Sequence, residues 1–579
     1  MSFFGEDRSV TVAAAAQAQE TVETPGKPSA TTAGASLSSA VTEDQGAMAA
    51  GSERYMTCPD WGDRVPIAED VSRSLEPGAY LDSMLVTSEP ETDDEYRLPV
   101  GQCRPGPADG RLLDSGRSGD SEAVEERLNG VHLDAASVKS AATSGSSGSG
   151  GGAAAGGEDA TDGDGDITAT LEWKDQQKHI FVLSESGKPV YSRHGSEEQL
   201  VTLSGVMQAL VSFVQDSGDS LRALRTGDRT IAFLSRPPLI LVAVSRGPEN
   251  VHQLNVQLFH VYYQILSVVT KSQLTRISEQ RRNFDFRKLV SGAERFLDQL
   301  VAAVDARPDY LLQAVQCLRL EQAARDAVVS AVQSVCSKIK DLVFALLISG
   351  DRLISLVRIR SHYLHPTDYH IVCNIVTSTE SFKTVEGWIP ICLPKFDSSG
   401  FMYAYVSYLS EECPACLVLL TADRESFHAL AQAKSKITER LHQNGTAQQI
   451  AAAIENGDYP VQETGVLNMR HFMYKCKSTA QSTCPSPSMV YGSPEGRRRL
   501  YALYHIVHGR VHSPARPLKT YYFAGSHELV VGWVSPGFEL YTVFDPHVSQ
   551  QTSITEMNRL LRWIKDHERR VFILSSPVF

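Results

Sequence analysis

The chain has 579 residues, 42% apolar and 21% charged, with a formal net charge of −13. That length allows several hydrophobic cores, and an acidic balance with no aromatic-basic binding motif argues against a nucleic-acid partner. The charge is divided: residues 1–170 carry 30 acidic and 11 basic side chains, a formal −19, and the remainder stands at +6.

Residues 1–170 are rich in Ala, Ser, Gly, Thr and Glu and end in the run SGSSGSGGG at 144–152. Such a composition buries too little surface to offset chain entropy, so a disordered acidic regulatory tail is expected. Hydroxyls among acids at 88–95 and 121–126 mark phosphorylation candidates. A tail of this charge tethered to a basic body reads either as a solvating segment with no specific task or as a device for autoinhibition or regulated recruitment. The opening MSFFGED has acids where a signal peptide needs a basic region, and no apolar run reaches the ~18–20 residues that span a bilayer. Ten scattered cysteines fit a reducing compartment, so a cytoplasmic protein is expected, and any membrane association must be peripheral.

The body opens with an apolar run at 179–183, a Gly-containing connection at 184–188 and a returning strand at 189–193. Ser196 stands three residues before Gln199, a capping-box spacing, and Leu200, Leu203, Met207, Leu210, Val211 and Val214 follow at helical intervals. Strands are predicted at 229–234 and 239–244, then a long helix over 249–270 and helices over 273–282 and 286–304. The first domain is placed at 171–310 and a helical connection at 311–338. A second domain, 339–465, repeats the pattern with strands at 342–348, 353–359, 388–393, 402–409 and 417–420 and helices at 426–442 and 447–455. A third, 466–579, has strands at 471–477, 520–524, 528–534, 538–544 and 571–574 and helices at 494–507 and 554–565.

Catalytic signatures are weak. Gly218-Asp-Ser220-Leu matches a hydrolase fragment without its late Asp-x-x-His partner. Cys413-Pro-Ala-Cys416 precedes a strand, where a redox pair belongs at a helix start. His362, His365 and His370 lie in what reads as a loop around Pro366 and Asp368. The acidic run at 162–166 lacks the Gly and Glu of a calcium loop, and no Walker A or dinucleotide loop appears. No cofactor, metal or catalytic residue is expected.

Two strands, a helix, further strands and C-terminal helices is the longin arrangement. The segments FVLSESGKPVYSRHGSEE, PLILVAVSR, YYQILSVVT, GWIPICLPKF, FMYAYVSYL, HFMYKCK and GWVSPGFELYTVFDP resemble the vacuolar fusion protein Mon-one family, across roughly residues 173–579. The resemblance implies an α/β (α+β) fold of three longin-type domains, each a mixed or antiparallel sheet flanked by helices. It also implies a subunit of the Mon/Ccz guanine-nucleotide exchange factor, which activates a late-endosomal Rab GTPase of the Rab seven type and drives endosome maturation, lysosome or vacuole fusion and autophagy. The implied partners are a Ccz-type longin protein, the Rab, an early-endosomal Rab as recruiter, anionic membranes carrying phosphoinositide or phosphatidylserine, and a third subunit. Candidate contacts sit around the first hairpin: Lys178, Lys188, Tyr191, Arg193 and His194, with Trp173 and Met207 as apolar contacts. Arg497, Arg498 and Arg499 are the candidate lipid contacts. A longin tether or scaffold without exchange activity, and a hydrolase or redox enzyme using Ser220 or Cys413, are the competing classes.

Overall fold

The computed structural model describes Thr11–Val12 and residues 170–579, apart from Glu197, Arg282, Asn283 and Ser576. Except at Thr11–Val12, which pair with a strand of the first domain, and at Thr170, the expectations for the acidic tail, its phosphorylation candidates and the run at 162–166 lie outside the described residues.

The first domain contains β1 (Thr11–Val12), α1 (Leu171–Asp175), β2 (Lys178–Ser184), β3 (Pro189–Ser192), α2 (Val201–Asp216), β4 (Ala223–Thr226), β5 (Arg229–Arg236) and β6 (Leu239–Ser245). Helices α3 (Val251–Val268), α4 (Lys271–Gln280), α5 (Arg287–Val290) and α6 (Glu294–Ala306) follow. The sheet runs β1-β4-β5-β6-β2-β3 with every pair antiparallel. On β2, Ile180 and Val182 pack with Leu254 and Leu258 of α3, whereas Phe181 and Leu183 pack with Met207 and Val211 of α2. A strand covered on both faces needs apolar side chains at every position, hence its unbroken apolar run.

Three expectations change here. Ser196 does accept from the Gln199 N–H at 3.4 Å, but α2 begins only at Val201, behind a Leu200 cap with no side-chain bond. Strand β4 has no β-branched or aromatic signal at its centre and was not foreseen. The helix expected over 286–304 is split into α5 and α6 by Gly292, whose φ of +87° suits glycine alone.

The connection is not wholly helical. It holds α7 (Pro308–Leu312), β7 (Val315–Gln316) and α8 (Gln322–Cys336). The second domain comprises β8 (Leu342–Ser349), β9 (Arg352–Arg358), α9 (Pro366–Ser378), β10 (Gly387–Leu393), β11 (Asp397–Tyr408), β12 (Cys416–Thr421), α10 (Phe427–Gln443) and α11 (Thr446–Asn456), with sheet order β10-β11-β12-β8-β9. Helix α9 replaces the loop expected around His370: Pro366 occupies its first turn, where the missing N–H costs nothing, and His365 Nδ1 accepts from the Thr367 N–H at 3.1 Å.

The third domain comprises β13 (Met469–Cys476), β14 (Gln481–Thr483), α12 (Pro494–Val511), β15 (Thr520–Ala524), β16 (Leu529–Val534), β17 (Phe538–Phe544), α13 (Gln550–Asp566) and α14 (Glu568–Val571). Its sheet order is β15-β16-β17-β13-β14-β7, so the connection donates a strand to it, parallel to β14. The strand expected at 571–574 is instead α14 followed by an irregular stretch, where the Ile573 N–H is satisfied by the Gln481 side chain at 2.8 Å and needs no ladder. All three domains share the longin order of strands and helices.

One helix ties the domains together. The apolar side of α3 packs on its own sheet, and Gln253, Gln257, His260 and Gln264 recur at i, i+4, i+7 and i+11 on another side, all buried. Gln253 Nε2 donates to the His505 carbonyl of α12 at 3.0 Å, and Gln257 Oε1 accepts from Lys178 Nζ at 2.9 Å. The His260 ring stands edge-on to Tyr310, centroids 5.2 Å apart, and Gln264 Oε1 accepts from Asn374 of α9 at 2.9 Å. The first and second domains also share one continuous apolar core.

Candidate partner and membrane surfaces

The first hairpin gathers the predicted contact residues but turns most of them inward. Lys178 Nζ lies 2.6 Å from Glu249 and 2.6 Å from Asp305, with only 6% of its side chain exposed. Burial draws its amine down, and the Asp305 and Glu249 carboxylates more than reverse this, leaving it raised. Burial would likewise raise the Glu249 carboxyl, yet Lys178 beside it holds it at about 2. Arg193 Nη1 meets the other Asp305 oxygen at 2.8 Å, and the Tyr191 hydroxyl donates to Asp298 at 2.6 Å. Both acids lie on α6, so these bonds clamp the hairpin to that helix. Trp173 is 4% exposed, stacks on His179 at 3.9 Å and donates from Nε1 to the His194 carbonyl at 3.3 Å. Met207 belongs to the core beneath α2. Trp173, Lys178, Tyr191 and Met207 are therefore interior residues, a correction to the expected contact surface, because partners distant in sequence draw them in. His194 and Arg193 are half-buried, and burial followed by the Arg193 charge lowers the His194 imidazole. Lys188 is exposed on the turn.

The outer face of α2 is the surface that the hairpin reading missed. Ser204, Met207 and Val211 face the sheet, whereas Val206, Leu210 and Phe213, at i, i+4 and i+7, are 44%, 36% and 77% exposed. Val201 is exposed on the first turn. The helix has one charged residue, Asp216, where a solvated helix ordinarily carries several. A contiguous apolar stripe without charges marks an interaction face. The signal was present in the sequence, since Val206, Leu210 and Phe213 form a second apolar line beside the Met207 line.

The three arginines divide. Arg499 pairs with Glu528, itself buried, at 2.6 Å; Arg498 pairs with the exposed Glu495 at 3.1 Å; Arg497 is exposed. Arg499 is thus committed to the protein. A surface pair such as Arg498–Glu495 is worth at most about 1 kcal/mol and leaves the cation able to change partner. Just before α12, a single 3-10 turn, Met489–Tyr491, leaves Met489 wholly exposed and Val490 58% exposed, and anchors itself through buried Tyr491. Among the described residues no helix is long and apolar enough to cross a membrane.

The chemistry-bearing residues are structural. Cys413 and Cys416 are buried thiols, both raised by burial. His370 is buried, bonded to the Ala314 carbonyl at 3.0 Å and stacked on Tyr310; burial, then Arg307, lowers it to about 3. Burial raises Asp368, which accepts from the Lys395 N–H, to about 7. Ligand atoms of His508, His512 and Glu539 lie within 4.8 Å of one another. Gln253 Oε1 accepts from Asn250, so its Nε2 points at His508 Nδ1, 3.2 Å away. His508 therefore accepts at Nδ1 and carries its proton at Nε2, which leaves no free lone pair for an ion. His512 Nε2 meets Glu539 at 3.1 Å and the Tyr541 hydroxyl at 3.0 Å, and the cluster is a hydrogen-bonded seam between the first and third domains.

Three successive sheet-and-helix units, with an apolar helix face outward on the first, define an array of longin domains. Models of the first, second and third longin domains of FUZ, MON1 and HPS1 match residues 178–300, 340–439 and 468–568. The chain is 42% identical over 407 residues to the vacuolar fusion protein MON1 homolog A of Gallus gallus, covering 70% of this chain and 74% of that one. Homolog A of Bos taurus is 40% identical over 418 residues (72% and 75%), and homolog B of Mus musculus 39% over 436 (72% and 78%). The chain belongs to the MON1 family.

Proposed function

We propose that this chain is one subunit of a heteromeric guanine-nucleotide exchange factor that activates a late-endosomal Rab GTPase of the Rab seven type, acting in endosome maturation and in vacuole, lysosome and autophagosome fusion. The name of the relatives, vacuolar fusion protein, supports the setting. The observation that carries the reading is the uncharged, outward stripe Val206-Leu210-Phe213 on α2, which a second longin protein of the Ccz type would cover to form the obligate pair. Exchange needs no bond-making group: a factor that stabilises the transition state for nucleotide release by about 4 kcal/mol, by binding the opened Rab in preference to the loaded one, accelerates release roughly a thousandfold. Rim residues Lys188, Arg193 and His194 are the hairpin side chains left accessible for contact with the pair or the Rab. Arg497 and Arg498 would hold the complex on membranes carrying phosphoinositide or phosphatidylserine. An early-endosomal Rab as recruiter, and a third subunit, complete the proposed partners.

The test is release of a fluorescent GDP analogue from a panel of Rab proteins on liposomes, with this chain alone and coexpressed with its longin partner. Acceleration of one late-endosomal Rab by the pair alone is expected. Binding without acceleration would replace the reading with a tether or scaffold.

A further inference from the structure

We propose that the Met489–Tyr491 turn and the start of α12 form a membrane foot on the third domain, in which Met489 and Val490 enter the interfacial layer of an anionic bilayer beside Arg497 and Arg498 at the head groups. The inference rests on the peripheral-membrane reading above and adds the apolar half of the contact.

Three observations carry it. Met489 is 100% exposed and Val490 58%, two adjacent large apolar side chains at the tip of a turn, where solvent offers them nothing. The turn is not a loose loop. Tyr491 is 1% exposed and its hydroxyl reaches Glu528 at 3.4 Å, the same buried acid that holds Arg499. The turn also sits on the helix at Gly496, where an added Cβ would come within 2.9 Å of Tyr491 Cα and 3.0 Å of the Val490 carbonyl oxygen. Glycine at that position lets the apolar tip approach the helix turn that bears Arg497. The apolar tip therefore packs on the first turn of the helix that bears Arg497 and Arg498, held there by buried Tyr491.

Charge complementarity selects the occupant. Arg497 and Arg498 are exposed, with Glu495 the opposing acid in the same turn, and Arg499, also exposed, has its guanidinium paired with buried Glu528. A surface that pairs exposed cations with an exposed methionine and valine fits a bilayer interface, which presents anionic groups above an apolar layer. An acidic protein would satisfy the arginines and leave Met489 in water.

The experiment uses the full chain with its longin partner in flotation with phosphatidylcholine vesicles, with and without phosphatidylserine or a phosphoinositide. Anionic vesicles should recruit the complex and neutral ones should not. Met489→Ser with Val490→Ser should weaken recruitment roughly tenfold, and Arg497→Gln with Arg498→Gln by on the order of 30-fold. Glu495→Gln should strengthen it a fewfold. A solvent-sensitive fluorophore at position 489 should shift to an apolar signature on anionic vesicles. GDP release in solution should be unchanged in every variant, so a failure of the exchange reading shows there in the unmodified complex and is separable from this one. Flotation unaffected by the Met489/Val490 change, a fluorophore that stays in water, or capture by an acidic protein without vesicle binding would each overturn the foot.

Discussion

Helices α2 and α3 cover opposite faces of the same sheet, and each places residues against the ordinary preference of their type. Helix α2, with one charged residue, presents Val206, Leu210 and Phe213 outward; α3 buries Gln253, Gln257, His260 and Gln264. The polar set is inside because each member meets a named partner on another element, and a hydrogen-bonded polar group can be buried at little cost. The apolar set is outside because nothing among the described residues covers it. Side-chain polarity alone thus fails to assign inside and outside, and the presence of a partner decides.

That comparison breaks most visibly at Lys178. Replacing Lys178 with Ala leaves Glu249 buried without its cation, and a loss of about 3–5 kcal/mol in urea unfolding is expected; a loss under 1 kcal/mol would mean the cluster is solvated. Next comes Asn374→Ala, which strands Gln264 Oε1 and the Phe296 carbonyl that Asn374 Nδ2 also reaches at 2.8 Å, with an expected cost of about 1–3 kcal/mol by the same measurement. Acid should act on the interior in a graded way. Burial lowers His179, His260 and His370 to about 3 and His471 and His505 to about 4. A histidine depressed in the folded state contributes fully above about 6.5 and loses that stability as pH falls toward its folded value, at up to about 1.4 kcal/mol per pH unit for each. Asp368, raised to about 7, works the other way and gains as pH falls from 7 to its ordinary range. The melting temperature should therefore drop between pH 6.5 and 4.5, and a flat profile would show these rings to be solvated. The smallest stability effect belongs to α2: Phe213→Asp should shift unfolding by under about 0.5 kcal/mol while abolishing copurification with the longin partner.

The sequence showed the elements whose pattern is local. Strands β15 and β17 fall at the expected residues, since TYYFA and FELYTVF carry dense aromatic and β-branched signals. Strands β4 and β7 were hidden because ALRT and VQ have no such signal, and long-range pairing makes them strands. Helix α9 was hidden because HPTDYH reads as loop until the buried partners of Asp368 and His370 are known. The hairpin site misled for the same reason: Lys178 is a surface residue by composition, and Asp305, 127 positions away, makes it an interior one. The Phe213 stripe was legible, but the apolar face read for this helix took in only Leu210 of it and left out Val206 and Phe213.

Strand β7 bears on how the chain comes to be folded. Val315 and Gln316 are made well before their ladder partners, Gln481 and Ser482, which follow 166 positions later in the chain. Until then the stretch after the first domain carries unpaired backbone N–H and C=O groups, the kind of edge on which chaperones and misfolded neighbours act. Family boundaries divide this protein into three modules, but its last sheet closes only when the earlier part of the chain returns to complete it, so a cut at residue 465 would leave two incomplete products in place of one array and one domain.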